Sequence, residues 1–311
     1  MMFKLAGSLF IRNSMSKSSV FHVSVIGASH IKEGKVCQDF ASSGKVRDYA
    51  FSIVCDGHGG NKYFRSDRGS RFAAEQTQLA IHEFMKSRSS RLPNGGKLVD
   101  TIRNNPDVYL NQLSANIIYR WREAITADYL REPFTEAEKT ILSPKELAAF
   151  QTEEGWVSAY GTTLIAAVRA NDFWFGLHIG DGKCVTVNAA GEYTQPIPWD
   201  EKCFLNQTTS LCDEQALSRF RYYFSKDDLP VAIFVASDGV DDTFGTDEAL
   251  HGFYKTVLQL FSEKGITEGV TELQAYLPQL SEKGSRDDVS IAGIIGEERV
   301  NKAETKENYK L

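Results

Sequence analysis

The sequence predicts an α+β protein built in layers, and three observations carry that expectation. Short apolar runs rich in β-branched and aromatic residues recur along the chain, each bounded by glycines or acids, as buried strands are. Between residues 68 and 129 the pattern turns helical, with Phe72, Gln76, Leu79, Ala80 and Phe84 on one face and Leu110, Leu113, Ile117, Trp121 and Ile125 on another. Strand-dominated blocks alternate with helix pairs instead of following strict βαβ order, which argues for a layered arrangement.

The first strand of chemical interest is residues 50–55, Ala-Phe-Ser-Ile-Val-Cys, which closes in Asp56-Gly57-His58-Gly59-Gly60. Polar side chains at a strand end face a cleft, and the three glycines let the backbone turn sharply and a ligand approach closely. Alone, the segment reads equally well as a tight turn carrying one solvated Asp. After it come the two helical stretches, separated by the polar residues 87–100 with Pro93-Asn94-Gly95-Gly96, and then a third, acidic helical piece over residues 135–154. Strands resume over residues 161–188, and two more helices are expected at residues 247–262 and 268–281.

Within these later blocks the strand-and-acid pattern recurs. Residues 173–179 end in Gly180-Asp181-Gly182, and residues 231–237 end in Asp238-Gly239 followed by Asp241 and Asp242. Ser285-Arg286-Asp287-Asp288 immediately precedes the apolar run 289–295. Acids so far apart in sequence meet only through the fold, and carboxylates brought together repel and resist desolvation unless cations neutralise them. With no Cys or His cluster nearby, oxygen ligation points to a hard cation, magnesium or manganese.

Composition narrows the class. The 311 residues suit one large or two ordinary domains, and acids running from Asp56 to Asp287 decide for one. A hydrophobic fraction of 42% supports a sizeable core, and the net charge of −6 offers no basic field for nucleic acid, so no nucleic-acid partner is expected. Five cysteines without C-x-x-C spacing indicate neither a disulfide framework nor a zinc site, and suggest reduced thiols in the cytoplasm. No apolar run approaches the ~20 residues of a membrane span. Residues 1–20 are expected to be a disordered leader, residues 21–296 the functional domain, and residues 297–311 a polar, solvated tail.

At Gln38-Asp39, Asp56-Gly57-His58-Gly59-Gly60, Gly161-Thr162-Thr163, Gly180-Asp181-Gly182, Ser237-Asp238-Gly239 and Asp287-Asp288-Val289-Ser290 the chain resembles the metal-dependent protein phosphatases of type 2C, particularly their bacterial branch. These segments stand in the family's order over roughly residues 21–296. The resemblance implies a central antiparallel β-sandwich flanked by helix pairs. It also implies hydrolysis of phosphoserine and phosphothreonine by a metal-activated water at a centre of two Mg²⁺ or Mn²⁺ ions. Carried over residue by residue, Asp56 bridges the two metals, the Gly57 carbonyl, Asp238 and Asp287 complete their protein ligands, and Asp39 holds metal-bound water. Asp181 and Asp242, with Asp238, match a third, weaker metal site of some members, while Asp241 and Asp288 support their neighbours or face solvent. His58 is placed to protonate the leaving Ser or Thr oxygen, against the plainer reading of a turn histidine. A phosphoprotein substrate, an opposing Ser/Thr kinase and a monomer complete the expectation.

The chain also departs from the family pattern. Gln38 stands where many members have Glu, and no Arg occurs between Arg12 and Arg47, where the family places an Arg that clamps the substrate phosphate. Gly34 falls at about that position, with His30, Lys32 and Lys35 nearby as candidate phosphate contacts. A Lys supplies a point charge but not the bidentate fork of Arg. The missing Arg keeps open a pseudophosphatase that uses the fold for regulation, and a phosphatase for small phosphorylated metabolites is the other alternative.

Overall fold

Two five-stranded antiparallel sheets pack face to face in the computed structural model, which describes residues 18–87, 98–204, 207–226 and 228–296. The strands are β1 (Ser18–Val25), β2 (Phe40–Val46), β3 (Tyr49–Cys55), β4 (Leu164–Ala170), β5 (Trp174–Ile179), β6 (Lys183–Val187), β7 (Tyr193–Thr194), β8 (Arg221–Ser225), β9 (Ala232–Ala236) and β10 (Val289–Gly296). One sheet runs β1-β10-β9-β6-β7 and the other β2-β3-β4-β5-β8. The helices are α1 (Ala28–Glu33), α2 (Ser66–Ser87), α3 (Leu98–Asn104), α4 (Pro106–Arg131), α5 (Glu136–Thr140), α6 (Pro144–Ala149), α7 (Glu153–Val157), α8 (Ala216–Arg219), α9 (Asp238–Asp241) and α10 (Asp247–Lys283).

Central strands are mostly apolar, with Ser52, His178 and Ser290 as buried exceptions, because both of their faces are covered. In β3, Tyr49, Phe51, Ile53 and Cys55 pack toward α2 and α4, while Ala50 and Val54 enter the space between the sheets. In β10, Val289, Ile291 and Ile295 pack toward α10, and Ala292 and Ile294 point inward. The result is the expected sandwich with helices on each outer face.

The α4 stripe is as expected, with Leu110, Leu113, Ile117, Trp121 and Ile125 all buried. The α2 stripe holds in part: Ala80 is buried and Phe72 and Phe84 pack against the core, but Leu79 is 49% exposed and the buried face also takes in Ala73, Ala74, Thr77, Ile81 and Met85. Small residues let α2 lie close to both the sheet and α4, so volume rather than hydrophobicity selects that face. Residues 135–154 form three short helices instead of one. Thr135, Ser143 and Thr152 each cap a new N-terminus, and Pro144 stands in the first turn of α6. The two expected C-terminal helices are both present within α10, meeting at a non-helical Gly265 with φ of 76°. Strand β1 begins at Ser18, paired with Gly296, and so takes in residues 18–20 of the expected leader. The rest of the leader, residues 88–97 of the connector and the C-terminal tail lie outside the described residues.

Candidate metal centre and active site

The sandwich brings strand ends from both sheets to one rim. Asp56 follows β3 and Asp181 follows β5 of one sheet, whereas Asp238 follows β9 and Asp287 precedes β10 of the other. Asp56, Asp181, Asp238, Asp242 and Asp287 all line a single cleft of about 850 Å³, together with His30, Gly57, His58 and Thr163.

Each acid is held by its local backbone. The Asp56 carbonyl accepts from Thr163 N–H (2.8 Å) and the Thr162 hydroxyl (2.9 Å), and Asp56 N–H donates to Thr163 Oγ1 (3.1 Å). His58 N–H donates to the Gly161 carbonyl (3.1 Å), so the Gly161-Thr162-Thr163 segment anchors both the acid and the histidine. At Gly57 a Cβ would stand 2.5 Å from the Gln38 carbonyl, a contact only glycine permits. Gly239 is equally constrained, its absent Cβ lying 1.9 Å from the Asp288 carbonyl, which lets α9 seat Asp238 beside the start of β10.

The electrostatics are those of crowded anions. Burial, reinforced by neighbouring acids, holds Asp39 and Asp56 well above the carboxylate range. Asp238 is pushed up to about 7 by burial and then by Asp181, and Asp181 and Asp242 are raised by burial as well. Buried Asp39 carries an Oδ2 with no hydrogen-bond partner. An unpaired, desolvated carboxylate among others is costly unless a cation completes it, so these residues fit divalent cations. Burial and the nearby Lys62 push the His58 imidazole down to about 4, and its ring meets Tyr63 edge-on at 4.9 Å.

A profile of the family described as Protein phosphatase 2C matches residues 26–278. The chain belongs to the protein phosphatase 2C family. It is a metal-dependent protein serine/threonine phosphatase. Solved structures share this fold at low identity. A bacterial serine phosphatase is 13% identical with a TM-score of 0.53, covering 90% of this chain and 98% of that one. PppA, a regulatory component of the type VI secretion system in Pseudomonas aeruginosa, is 16% identical with a TM-score of 0.52, covering 91% and 99%. The catalytic domain of the serine/threonine phosphatase PstP, in complex with two manganese ions, is 18% identical with a TM-score of 0.50, covering 89% and 97%. No curated protein matches the sequence significantly.

Against the type 2C phosphatase pattern, several placements differ from those read in the sequence. Lys32 and Lys35 do not line the cleft; Lys35 pairs with Glu33 at 2.7 Å on the surface of α1 and its exit. Of the three candidate phosphate contacts, His30 alone reaches the site. Of the two alternatives read for Asp241 and Asp288, both stand against neighbouring groups and not in open solvent. Asp241 is half-buried opposite Lys183 at 3.5 Å and is pushed up to about 8, chiefly by desolvation. Asp288, 3% exposed, accepts from Gly27 N–H (2.6 Å), Gln38 N–H (2.5 Å) and His30 Nδ1 (2.9 Å). Lys202, in the loop after β7, and Arg219, the last residue of α8, line the cleft and were missed in the sequence.

Proposed function

We propose that this phosphatase hydrolyses phosphoserine and phosphothreonine in proteins at a centre where Asp56, the Gly57 carbonyl, Asp238 and Asp287 hold two Mg²⁺ or Mn²⁺ ions. Asp39 lies behind them, and Asp181 and Asp242 join Asp238 at a third, weaker site. The observation that carries the reading is the convergence of Asp56, Asp181, Asp238, Asp242 and Asp287, from both sheets, on one cleft. Bound there, divalent cations supply an activated water and neutralise charge on the phosphoryl oxygens.

The chain's own residues do the rest. Lys202 and Arg219 attract the phosphorylated segment into the cleft, and Arg219 supplies a guanidinium that the N-terminal segment lacks. His58 gives a proton to the departing Ser or Thr oxygen, positioned by its backbone bond to Gly161 and by the Tyr63 ring. The phosphatase domain spans residues 21–296 together with residues 18–20 at the start of strand β1. Five unpaired cysteines support a reducing compartment, the cytoplasm, and no helix among the described residues is long and apolar enough to cross a membrane. The regulatory role stated for PppA supports a signalling setting, in which a Ser/Thr kinase would oppose this phosphatase.

The test is manganese-dependent hydrolysis of a phosphothreonine peptide beside a small aryl phosphate, with Asp56→Asn as control. The proposal expects turnover of both substrates and a loss of orders of magnitude in the variant. Turnover of the aryl phosphate alone would favour a small-metabolite phosphatase, and no turnover with intact Mn²⁺ binding would favour a pseudophosphatase.

A further inference from the structure

His30 sits in α1 with 9% of its surface exposed and lines the cleft beside Asp287. Its Nδ1 lies 2.9 Å from Asp288 Oδ1. That carboxylate already accepts the backbone N–H groups of Gly27 and Gln38, so it acts as an acceptor and His30 Nδ1 is the donor. The opposite ring nitrogen, Nε2, makes no hydrogen bond among the described residues and stands 3.9 Å from Asp287 Oδ1. This distance is too long for a hydrogen bond. It lies within the span of about 4.2 Å open to two atoms that share a cation at about 2.1 Å each. A histidine that donates one N–H to a buried carboxylate and turns its other nitrogen to an acid is the arrangement that orients metal-binding imidazoles.

We propose that His30 Nε2 is a direct ligand to a divalent cation shared with Asp287, with Asp288 as the carboxylate that fixes the ring. The inference rests on Asp287 being a metal ligand as read above, and it replaces an all-oxygen centre with one that includes a nitrogen. Imidazole favours first-row transition ions over magnesium, so the chain is built for Fe²⁺ or Co²⁺, and then Mn²⁺, at this position more than for Mg²⁺. Gln38, neutral where many relatives carry Glu, fits the same design: its N–H steadies Asp288, and its side-chain amide donates to Ser66 Oγ (2.5 Å) instead of adding a further anion.

Two measurements on the full chain test this without substrate. Pulsed electron paramagnetic resonance of the Mn²⁺-loaded protein should show coupling to an imidazole nitrogen that changes on ¹⁵N-histidine labelling, persists in His58→Gln and disappears in His30→Gln. Calorimetric titration of His30→Gln should show Mn²⁺ affinity lowered about 10–100-fold, with Mg²⁺ affinity changed less than about threefold. Wild-type spectra without imidazole coupling, or His30→Gln with unchanged Mn²⁺ affinity, would overturn the proposal even where Asp56→Asn abolishes binding. If wild type itself bound no Mn²⁺, or Asp56→Asn bound it normally, the underlying metal assignment would fail instead. A His30→Gln protein that binds Mn²⁺ normally but has a raised KM would place His30 on the substrate phosphate. The wild-type spectrum needs no variant, so it decides the case even if a substitution impairs folding.

Discussion

His58 is where acid catalysis and mere placement make different demands. A proton donor matters when the leaving group is a poor one. His58→Gln should therefore slow hydrolysis of a phosphoserine or phosphothreonine peptide by about 10²–10⁴-fold and affect an aryl phosphate with a low-pKa phenol far less. Equal losses in a variant that still binds cations would remove His58 from the acid role. Its titration gives a second, independent check. Burial first and Lys62 second hold the ring down to about 4 in the cation-free protein, so it serves as an acid only where the anionic phosphorylated substrate beside it favours imidazolium. Removing the Lys62 charge should raise that value, because a nearby cation disfavours imidazolium. Proton NMR of metal-free protein should show the His58 ring titrating at higher pH in Lys62→Met than in wild type, and an unmoved or lowered midpoint would contradict the assigned cause. Residues of this kind were readable in the sequence, since acids and a histidine where apolar strands stop have no packing reason to be there. His30 was read only as a phosphate contact and Asp288 only as a neighbour, because their pairing joins positions 258 residues apart and exists only once β1 and β10 have paired.

Elements hold the His58 loop in place through a buried ionic cluster. Asp128 on α4, 2% exposed, accepts from Arg131 (2.5 Å), Arg68 (3.2 Å) and the Tyr160 hydroxyl (2.9 Å), and lies 3.7 Å from Arg65. Arg65 is itself 2% exposed and also donates to Glu138 of α5 (2.7 Å) and to the Glu132 carbonyl (2.7 Å). This ties the start of α2, just after the His58 loop, to the end of α4 and the short helices beyond it. Asp128→Ala would leave Arg65 buried with only part of its compensation. Breaking such a pair costs about 3–5 kcal/mol, so chemical denaturation should show a loss of that size and no change in slope. A loss below about 1 kcal/mol would mean that solvent reaches the cluster freely. The sequence showed α4 plainly because one wide apolar stripe buries against its neighbours. It found the face of α2 only in part, because Ala73 and Ala74 pack beside Ala80 and carry little hydrophobic signal. It merged α5, α6 and α7, whose individual lengths fall below what periodicity can resolve, although the caps at Thr135 and Ser143 were there to be read.

At the scale of the whole molecule, the sandwich stores repulsion at its rim and depends on ligands to relieve it. Both sheets contribute acids, so the cost of crowding them falls on sheet-to-sheet packing and hence on global stability. Asp238 is raised to about 7, and burial raises Asp39, Asp56 and Asp181 in the same direction, so the cation-free fold binds more protons than the unfolded chain. Stability then decreases with rising pH, since the slope follows protons bound by the unfolded state minus those bound by the native state. The contribution of Asp238 is fully present below its unfolded pKa and is lost as pH rises through about 7. Cations act in the opposite sense, because they bind ionised carboxylates and compete with protons at low pH. The melting temperature in chelator should therefore fall between pH 5 and pH 8. The increment on adding Mn²⁺ should grow over the same interval, reaching roughly 5–10 °C at a concentration near 100 times Kd, where binding adds about 2.7 kcal/mol. Asp56→Asn removes one anion from the rim and should both flatten the chelator curve and shrink the increment. A Mn²⁺ increment that stays constant from pH 5 to pH 8 would show that protons and cations do not compete for these carboxylates, and that the rim acids are not the groups that bind the metal.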